Sequence, residues 1–553
     1  MFISLHHIFI RTIIKQTMSD NEKKSLTSMK THSDSNYAHS YEHDTDSVSS
    51  AIPAPLFGDQ NEDLENKLER LSTITTLEKT QQDRSKFEVA FISDGEPDRE
   101  NVTKFYSMYR RYYISLLITF TCMVITMISS GWTFVSPHVM VKFNISHEVS
   151  ILGITLYVFG LAFGPLFLSP ISELYGRRIT FLSSLTFSIA FQCLTTWSKT
   201  IAGVFIGRFL SGFFGSSFLS VAGGTLSDLF TKEQITVPMS IFTMAAFLGP
   251  SLGPVISGAF YTTDYRWTFI TFIITSGVCL ILIFFTVPET YPPMLLINKA
   301  KRLREETGDE RYHAPLEVAR SETSIMSAMV LSSKRPFTLL FFDPMMGVLC
   351  FYTGFELAII YLYFVAFPYI FKKVYNFSVM GIACAYLGML TGMILGAMTS
   401  LYFQKSYERK IRANGGKSTP EMRFEPLFYG AFLTPIGLMI FAWTCYPQVH
   451  WIGPIIGSAI FGMGVFYVFT GIFNYTVDAY RRYAASGLAC NAFVRCVMGG
   501  VFPLFGLQMY KKMGINWAGF FIAMITVLLM PVPFLFTKYG PYLRAKSPYT
   551  WSE

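Results

Sequence analysis

From about residue 106 to 537 the chain is a succession of apolar runs of about 20 to 25 residues, each long enough for an α-helix to cross a hydrocarbon layer, separated by polar joints. Read along this pattern, the sequence predicts twelve spans: 114–136, 149–171, 179–197, 201–227, 235–260, 266–287, 345–370, 379–402, 426–445, 451–475, 483–508 and 514–537. The longest interruption, 288–344, divides six spans from six. The expected fold is therefore all-α and integral to a membrane, with twelve transmembrane helices in two six-helix pseudo-repeats. The domain plan is a cytosolic tail over 1–105, a bundle over 106–287, a central cytosolic loop over 288–344, a bundle over 345–537 and a cytosolic tail over 538–553. The first tail is rich in Ser, Thr, Asp, Glu and Lys and lacks a periodic apolar face, so it is expected to be disordered.

Composition sharpens this picture. The 553 residues are 51% hydrophobic and 15% charged, against about 25% charged in soluble domains, which excludes a water-soluble multidomain enzyme. The net charge of +8 does not point to nucleic acid, because the basic residues lie between spans and form no continuous patch. They act as topology signals: with the N-terminus inside, roughly 25 Lys and Arg fall on cytosolic segments against about 7 outside, which places both termini in the cytosol. Trp132, Trp197, Trp267, Trp443, Trp451 and Trp517 all fall at the expected external helix ends, where an amphipathic ring suits headgroup depth. Two sequons on that side make Asn144 and Asn376 candidate glycosylation sites. The eight cysteines lie in or beside apolar segments without metal-like spacing and read as packing residues. No nucleophile triad, metal cluster or phosphate loop is visible, so no catalytic residue, metal or cofactor is expected.

Small residues recur every four positions on several spans, so they share one face. Span 2 carries Gly160 and Gly164, span 4 Gly203, Gly207, Ser211 and Gly215, span 5 Ala245, Gly249, Gly253 and Ser257, and span 8 Cys384, Gly388, Gly392, Gly396 and Ser400. Such faces let helices approach closely in lipid. Their occurrence on spans 5 and 8 suggests a close, sliding contact between the halves.

Five stretches carry a family resemblance. Span 5 contains Gly249-Pro250 and Gly253-Pro254, prolines that interrupt the helical ladder beside glycines that admit close neighbours. The joint after span 2 reads Ser169-Pro170-Ile171-Ser172-Glu173-Leu174-Tyr175-Gly176-Arg177-Arg178. Span 4 places Arg208 about eight residues from its external end, ahead of Ser211 and Gly212. The central segment opens Pro288-Glu289-Thr290-Tyr291-Pro292-Pro293, and Asp343-Pro344 precedes span 7. These stretches resemble the major facilitator superfamily, and within it the fungal twelve-span drug:proton antiporters that export cycloheximide, azoles, benomyl and polyamines. The resemblance implies the major facilitator fold, an antiporter signature in Gly249, Pro250, Gly253 and Pro254, and a cytosolic gate in Glu173, Gly176, Arg177 and Arg178. Ser169 and Leu174 depart from the usual gate pattern.

Few ionisable residues lie deep in the spans. Arg208 costs at least about 2.5 kcal/mol at such depth and should face a cavity or a partner. Glu356, about 16 Å along span 7 at 1.5 Å per residue, is near mid-membrane, where alternating access can load and unload a proton. Arg495 lies as deep in span 11. Arg208, Glu356 and Arg495 are the candidates for proton coupling or substrate contact, and a structural ion pair is the other reading of Glu356 and Arg495. Asp228 and Asp478 at cytosolic helix ends suit either solvated anchoring or gate contacts. With 53 Phe, 30 Tyr and 26 Met, the chain offers adaptable surface for flat hydrophobic cations; Phe466, Tyr467, Thr470 and Asn474 on span 10 form a candidate cavity face.

The sequence therefore reads as a proton-coupled exporter of drugs or polyamine-like cations working by alternating access. It is expected as a monomer in the bilayer of the plasma membrane, or alternatively the vacuole. A proton-coupled nutrient importer and a non-transporting membrane receptor are the rival readings.

Overall fold

A computed structural model describes residues 87–91, 101–231, 234–322, 325–415, 418–480 and 483–550. The chain divides into two units, Met1–Gln81 and Gln82–Glu553, and the described residues all belong to the second. Among them, twelve helices are long and apolar enough to cross a membrane: Met108–Ser130, His147–Tyr175, Arg177–Trp197, Ile201–Leu229, Val237–Ala259 and Arg266–Thr286, then Pro344–Tyr375, Val379–Ala413, Pro420–Thr444, Ile452–Tyr480, Ser486–Met513 and Ile515–Lys546. Spans 1 to 12 below refer to these helices. Several outrun their apolar windows because, once clear of lipid, a helix can continue with polar residues; span 8 runs on through Lys405 to Arg412, and span 12 continues to Lys546. Span 1 instead begins and ends six residues early. After Gly131 the chain turns, and Pro137 helps open a separate helix, Ser136–Phe143.

Helix starts and stops have local causes. Ser146, Thr200, Asp343 and Ser378 cap spans 2, 4, 7 and 8 by accepting a backbone N–H from the first turn. Asn144 and Asn376, exposed at φ 49° and 53°, close the preceding helices in the left-handed conformation. Each sequon is thus a helix-stop asparagine followed by a helix-start serine, at equivalent joints of the two halves.

The halves repeat one packing scheme: span 1 lies on 5 as span 7 lies on 11, span 2 on 4 as span 8 on 10, and span 3 on 4 as span 9 on 10. The glycine stripes serve these contacts within each half. A Cβ at Gly249 or Gly253 would overlap Thr126 or Ser130 of span 1, and one at Gly392 would overlap the Ala459 carbonyl of span 10. The expected close contact of spans 5 and 8 across the halves is present, but the stripes do not make it: Gly249 and Gly253 face span 1, and Gly388, Gly392 and Gly396 face span 10. Spans 5 and 8 meet through other faces, with Gly258 against Ala383.

Five of the six end-lying tryptophans are exposed at one end of the bundle, hereafter the tryptophan end; Trp132 is the exception, fully buried with its Nε1 donating to the Ser150 carbonyl at 2.8 Å. The turn after span 1 folds it inward over Arg208. The central segment, at the opposite end, carries three helices, Pro292–Thr307, Pro315–Glu322 and Ile325–Phe342.

Candidate functional site

Arg208 sits in a socket made by the end of span 1. The last carbonyls of a helix lack partners, and Arg208 supplies two of them: Nη1 donates to Ile128 O at 2.9 Å and Nη2 to Ser129 O at 3.1 Å, while Nε donates to Gly153 O of span 2 at 2.8 Å. The guanidinium lies over the Tyr157 and Trp132 rings, 4.4 and 5.2 Å from their centroids. A fixed planar fork suits this site, and the negative end of the span 1 dipole complements its charge. Arg208 thus has partners, but they are carbonyls and aromatic rings, with no carboxylate among the described residues.

The joint after span 2 forms a latch whose acid differs from the one expected. Arg177 Nε donates to Asp228 of span 4 at 3.1 Å and Nη1 to Ser172 Oγ at 2.7 Å, and its guanidinium lies 4.6 Å from the Tyr291 centroid. Glu173 is exposed and forms no ion pair among the described residues. Glu289 takes up the start of span 3: its carboxylate accepts from the backbone N–H groups of Arg177, Arg178, Thr290 and Tyr291 at 2.9 to 3.1 Å. That anion faces the positive end of the helix dipole. Gly176, at φ 96°, leaves room for the Glu289 carboxylate. Arg178 Nη2 caps the end of span 6 by donating to Phe284 O at 2.9 Å. Burial pushes the Tyr291 phenol up to about 12, so it stays protonated across the physiological range.

The second half repeats the latch. Arg423, at the start of span 9, donates through Nε to Asp478 near the end of span 10 at 2.8 Å and lies 3.5 Å from the Tyr407 centroid. The two arginine–aspartate pairs are separated by 51 and 55 residues along the chain. Reading the sequence alone missed Glu289, Arg423 and these pairings; the similar separation at equivalent helix ends was the available signal.

Glu356 and Arg495 do not pair. The Glu356 side chain is fully buried in span 7 beside Thr434 of span 9, and neither carboxylate oxygen has a hydrogen-bond partner among the described residues. It is also the one carboxyl among them more than two turns from either end of its span. Arg495 lies against the Phe469 and Phe473 rings of span 10, 5.5 and 5.3 Å from their centroids, and its buried Nε has no hydrogen-bond partner among the described residues.

Toward the central-segment end, Phe466, Tyr467, Thr470 and Asn474 line a cavity with Ser240 of span 5 and Phe403 of span 8. At about 40 Å³ it is far below the roughly 300–1,000 Å³ of sites for drug-sized ligands, so such a ligand requires the walls to part. Nearer the tryptophan end the halves are joined. Thr155 Oγ1 of span 2 donates to Gly500 O of span 11 at 2.8 Å, and the Ser129 and Tyr361 hydroxyls of spans 1 and 7 are 2.9 Å apart. Ile151, Val365 and Leu507 pack together there. Among the described residues no cluster of His, Cys, Asp and Glu is arranged to hold a metal.

Comparisons with known proteins agree with this architecture. The family model described as Major Facilitator Superfamily matches residues 116–503. The chain is 68% identical over 488 residues to the probable drug/proton antiporter YHK8 of Saccharomyces cerevisiae, covering 88% of this chain and 95% of that protein. It is 34% identical over 475 residues to the major facilitator superfamily multidrug transporter FLU1 of Candida albicans, covering 85% and 77%. Among solved structures, the proton:xylose symporter XylE bound to 6-bromo-6-deoxy-D-glucose superposes with a TM-score of 0.57 at 14% identity, covering 78% of this chain and 96% of that one. With two matched six-helix halves, a family match across both and relatives alike over most of their length, the chain belongs to the major facilitator superfamily.

Proposed function

We propose that this chain exports small-molecule drugs or organic cations in exchange for protons, by alternating access. The observation that carries the mechanism is the asymmetry between its ends: hydrogen-bonded contacts join the halves nearer the tryptophan end, while toward the other end lies an aromatic cavity walled by spans 8 to 10 of the second half and reached by Ser240 of span 5 from the first. The reading of cargo and coupling rests on likeness to a probable drug/proton antiporter and to multidrug transporters. The central-segment end faces the cytosol with both termini, which makes the structure a conformer closed to the outside. The protein works as a monomer in the plasma membrane, the vacuolar membrane being the alternative.

The coupling candidates take distinct roles. Glu356 carries the proton, since a buried carboxyl without a cationic partner has its charge set by a proton. Arg495, flanked by aromatic rings, contacts cargo or balances charge in the second half. Arg208 holds spans 1, 2 and 4 in register toward the tryptophan end. Glu173, Gly176, Arg177 and Arg178 belong to the cytosolic gate, with Asp228 and Glu289 completing it. The test is flux in proteoliposomes under an imposed acid step and membrane voltage, with purified wild type and Glu356→Gln. Drug movement that follows the gradients in wild type and ignores them in the variant is expected; flux indifferent to both gradients in wild type overturns the proposal.

A further inference from the structure

Residues 87–91, Phe-Glu-Val-Ala-Phe, fall inside the tail that composition assigns to solvated chain, yet Phe87, Val89 and Phe91 put three large apolar side chains at every second position, the spacing of one strand face. In the structure they lie along the central segment. Val89 N donates to His313 O at 3.0 Å and His313 N donates to Phe87 O at 3.1 Å, a parallel bridge centred on Glu88 and His313. Lys299 Nζ donates to Ala90 O at 2.8 Å. Val89 is buried with Ile297, Ala300 and Ala314, walled by Met294, Leu303 and Leu316. The Phe87 ring meets Tyr312 edge-on at 5.5 Å and lies 4.1 Å from the Arg311 guanidinium.

The receiving surface is braced independently of the tail. Helix Pro292–Thr307 ends at Gly308 in the left-handed conformation, φ 71°, and helix Pro315–Glu322 returns beside it. Glu317 ties the two together, accepting from Arg304 Nη2 at 2.8 Å and from Ala314 N at 3.1 Å. His313 is thereby presented as a short strand edge beside an apolar floor. Such an edge binds an extended segment through its backbone, while pockets select alternate side chains.

We propose that the hairpin 292–322 is an internal peptide-docking site whose ligand is the chain's own segment 87–91, fastening the amino-terminal tail to the joint between the two bundles. The joint is also where helix Ile325–Phe342 packs on spans 2 and 11, with Ser333 Oγ donating to Leu166 O at 2.7 Å and Phe337 against Phe493. Spans 2 and 11 belong to different halves. The docked tail therefore bears on the segment that must adjust when the halves rock, and a partner that takes the tail away acts on that segment.

Hydrogen–deuterium exchange on the full-length protein in lipid nanodiscs tests this. The Val89 and His313 amides are expected to exchange at least about tenfold more slowly than unstructured chain. Val89→Asp, which puts a carboxylate into the apolar cluster, is expected to remove both protections and leave the span amides unchanged. Should that variant also loosen the spans, Lys299→Met removes the donor to Ala90 while keeping an apolar stem, and is expected to lower Val89 protection. Glu88→Cys with His313→Cys is expected to cross-link under mild oxidation, and Val89→Asp to suppress the link. Val89 exchanging in wild type as unstructured chain, or His313 protection unchanged by Val89→Asp, overturns the proposal.

Discussion

Arg208 illustrates how a single side chain can be required for reasons of shape as well as charge. Lysine keeps the charge but offers one rotating ammonium where three carbonyls on two helices are met by a planar fork. Arg208→Lys is expected to cost about 3 kcal/mol, from two charged hydrogen bonds at about 1.5 kcal/mol each, read as a fall in melting temperature of the detergent-purified protein; an unchanged melting point would contradict the socket. Gly176→Ala puts a side chain at φ 96° against the Glu289 carboxyl. Backbone strain of about 1–3 kcal/mol plus displacement of that cap is expected to lower surface abundance, and abundance equal to wild type would show that the joint relaxes freely. Glu356→Gln keeps volume and removes the titratable group. It is expected to reduce proton-driven drug flux at least about tenfold, a change of 1.4 kcal/mol, with drug binding retained in equilibrium titration. The depths of all three charges were legible from sequence. Their partners were not: the Arg208 carbonyls come from 55 to 80 residues away, and backbone acceptors leave no mark in residue type.

At the scale of elements, a four-residue glycine period announces a close helix contact without naming the neighbour. Gly392 lies against the Ala459 backbone, whereas a Cβ at Gly277 meets nothing within 4 Å. Gly392→Leu is expected to abolish mature protein at the membrane while Gly277→Leu leaves its amount unchanged, as measured by surface labelling; similar amounts of both variants would refute the packing assignment. The latch predicts a pairwise effect. Asp228→Asn strands the largely buried Arg177 and should destabilise by about 1–3 kcal/mol. Combining it with Arg177→Gln is expected to cost less than the two single changes added, and simple additivity would show the pair to be uncoupled. The sequons show what sequence leaves undecided at this scale: the same Asn-x-Ser that invites a glycan also stops one helix and starts the next.

For the whole molecule, the contacts between halves near the tryptophan end must separate if the cavity is to open outward. Thr155→Cys with Gly500→Cys is therefore expected to trap the protein under oxidation, with drug export falling and returning on reduction; export unaffected by a formed cross-link would rule out this opening. The driving forces suffice. One charge moved across 100 mV supplies about 2.3 kcal/mol and one pH unit about 1.36 kcal/mol, enough for a gradient of a neutral drug of roughly two to three decades at about 1.4 kcal/mol each; a monovalent cation leaving against one proton cancels the electrical part and keeps about one decade.

Sequence alone determined the twelve spans and the six-plus-six division, because burying a helix in lipid depends on the length and apolarity of a continuous run, which are local properties. It also supplied the depth of Arg208, Glu356 and Arg495 and the small-residue faces, which follow from counting along a helix. The tertiary structure decided what those features meet: Asp228 rather than Glu173 opposite Arg177, span 1 rather than span 8 opposite Gly249 and Gly253 of span 5, Trp132 inside rather than at the headgroups, and the 87–91 segment on the central hairpin. Each of these depends on which distant surfaces come together, and that is settled by packing all the helices at once, so no local pattern records it.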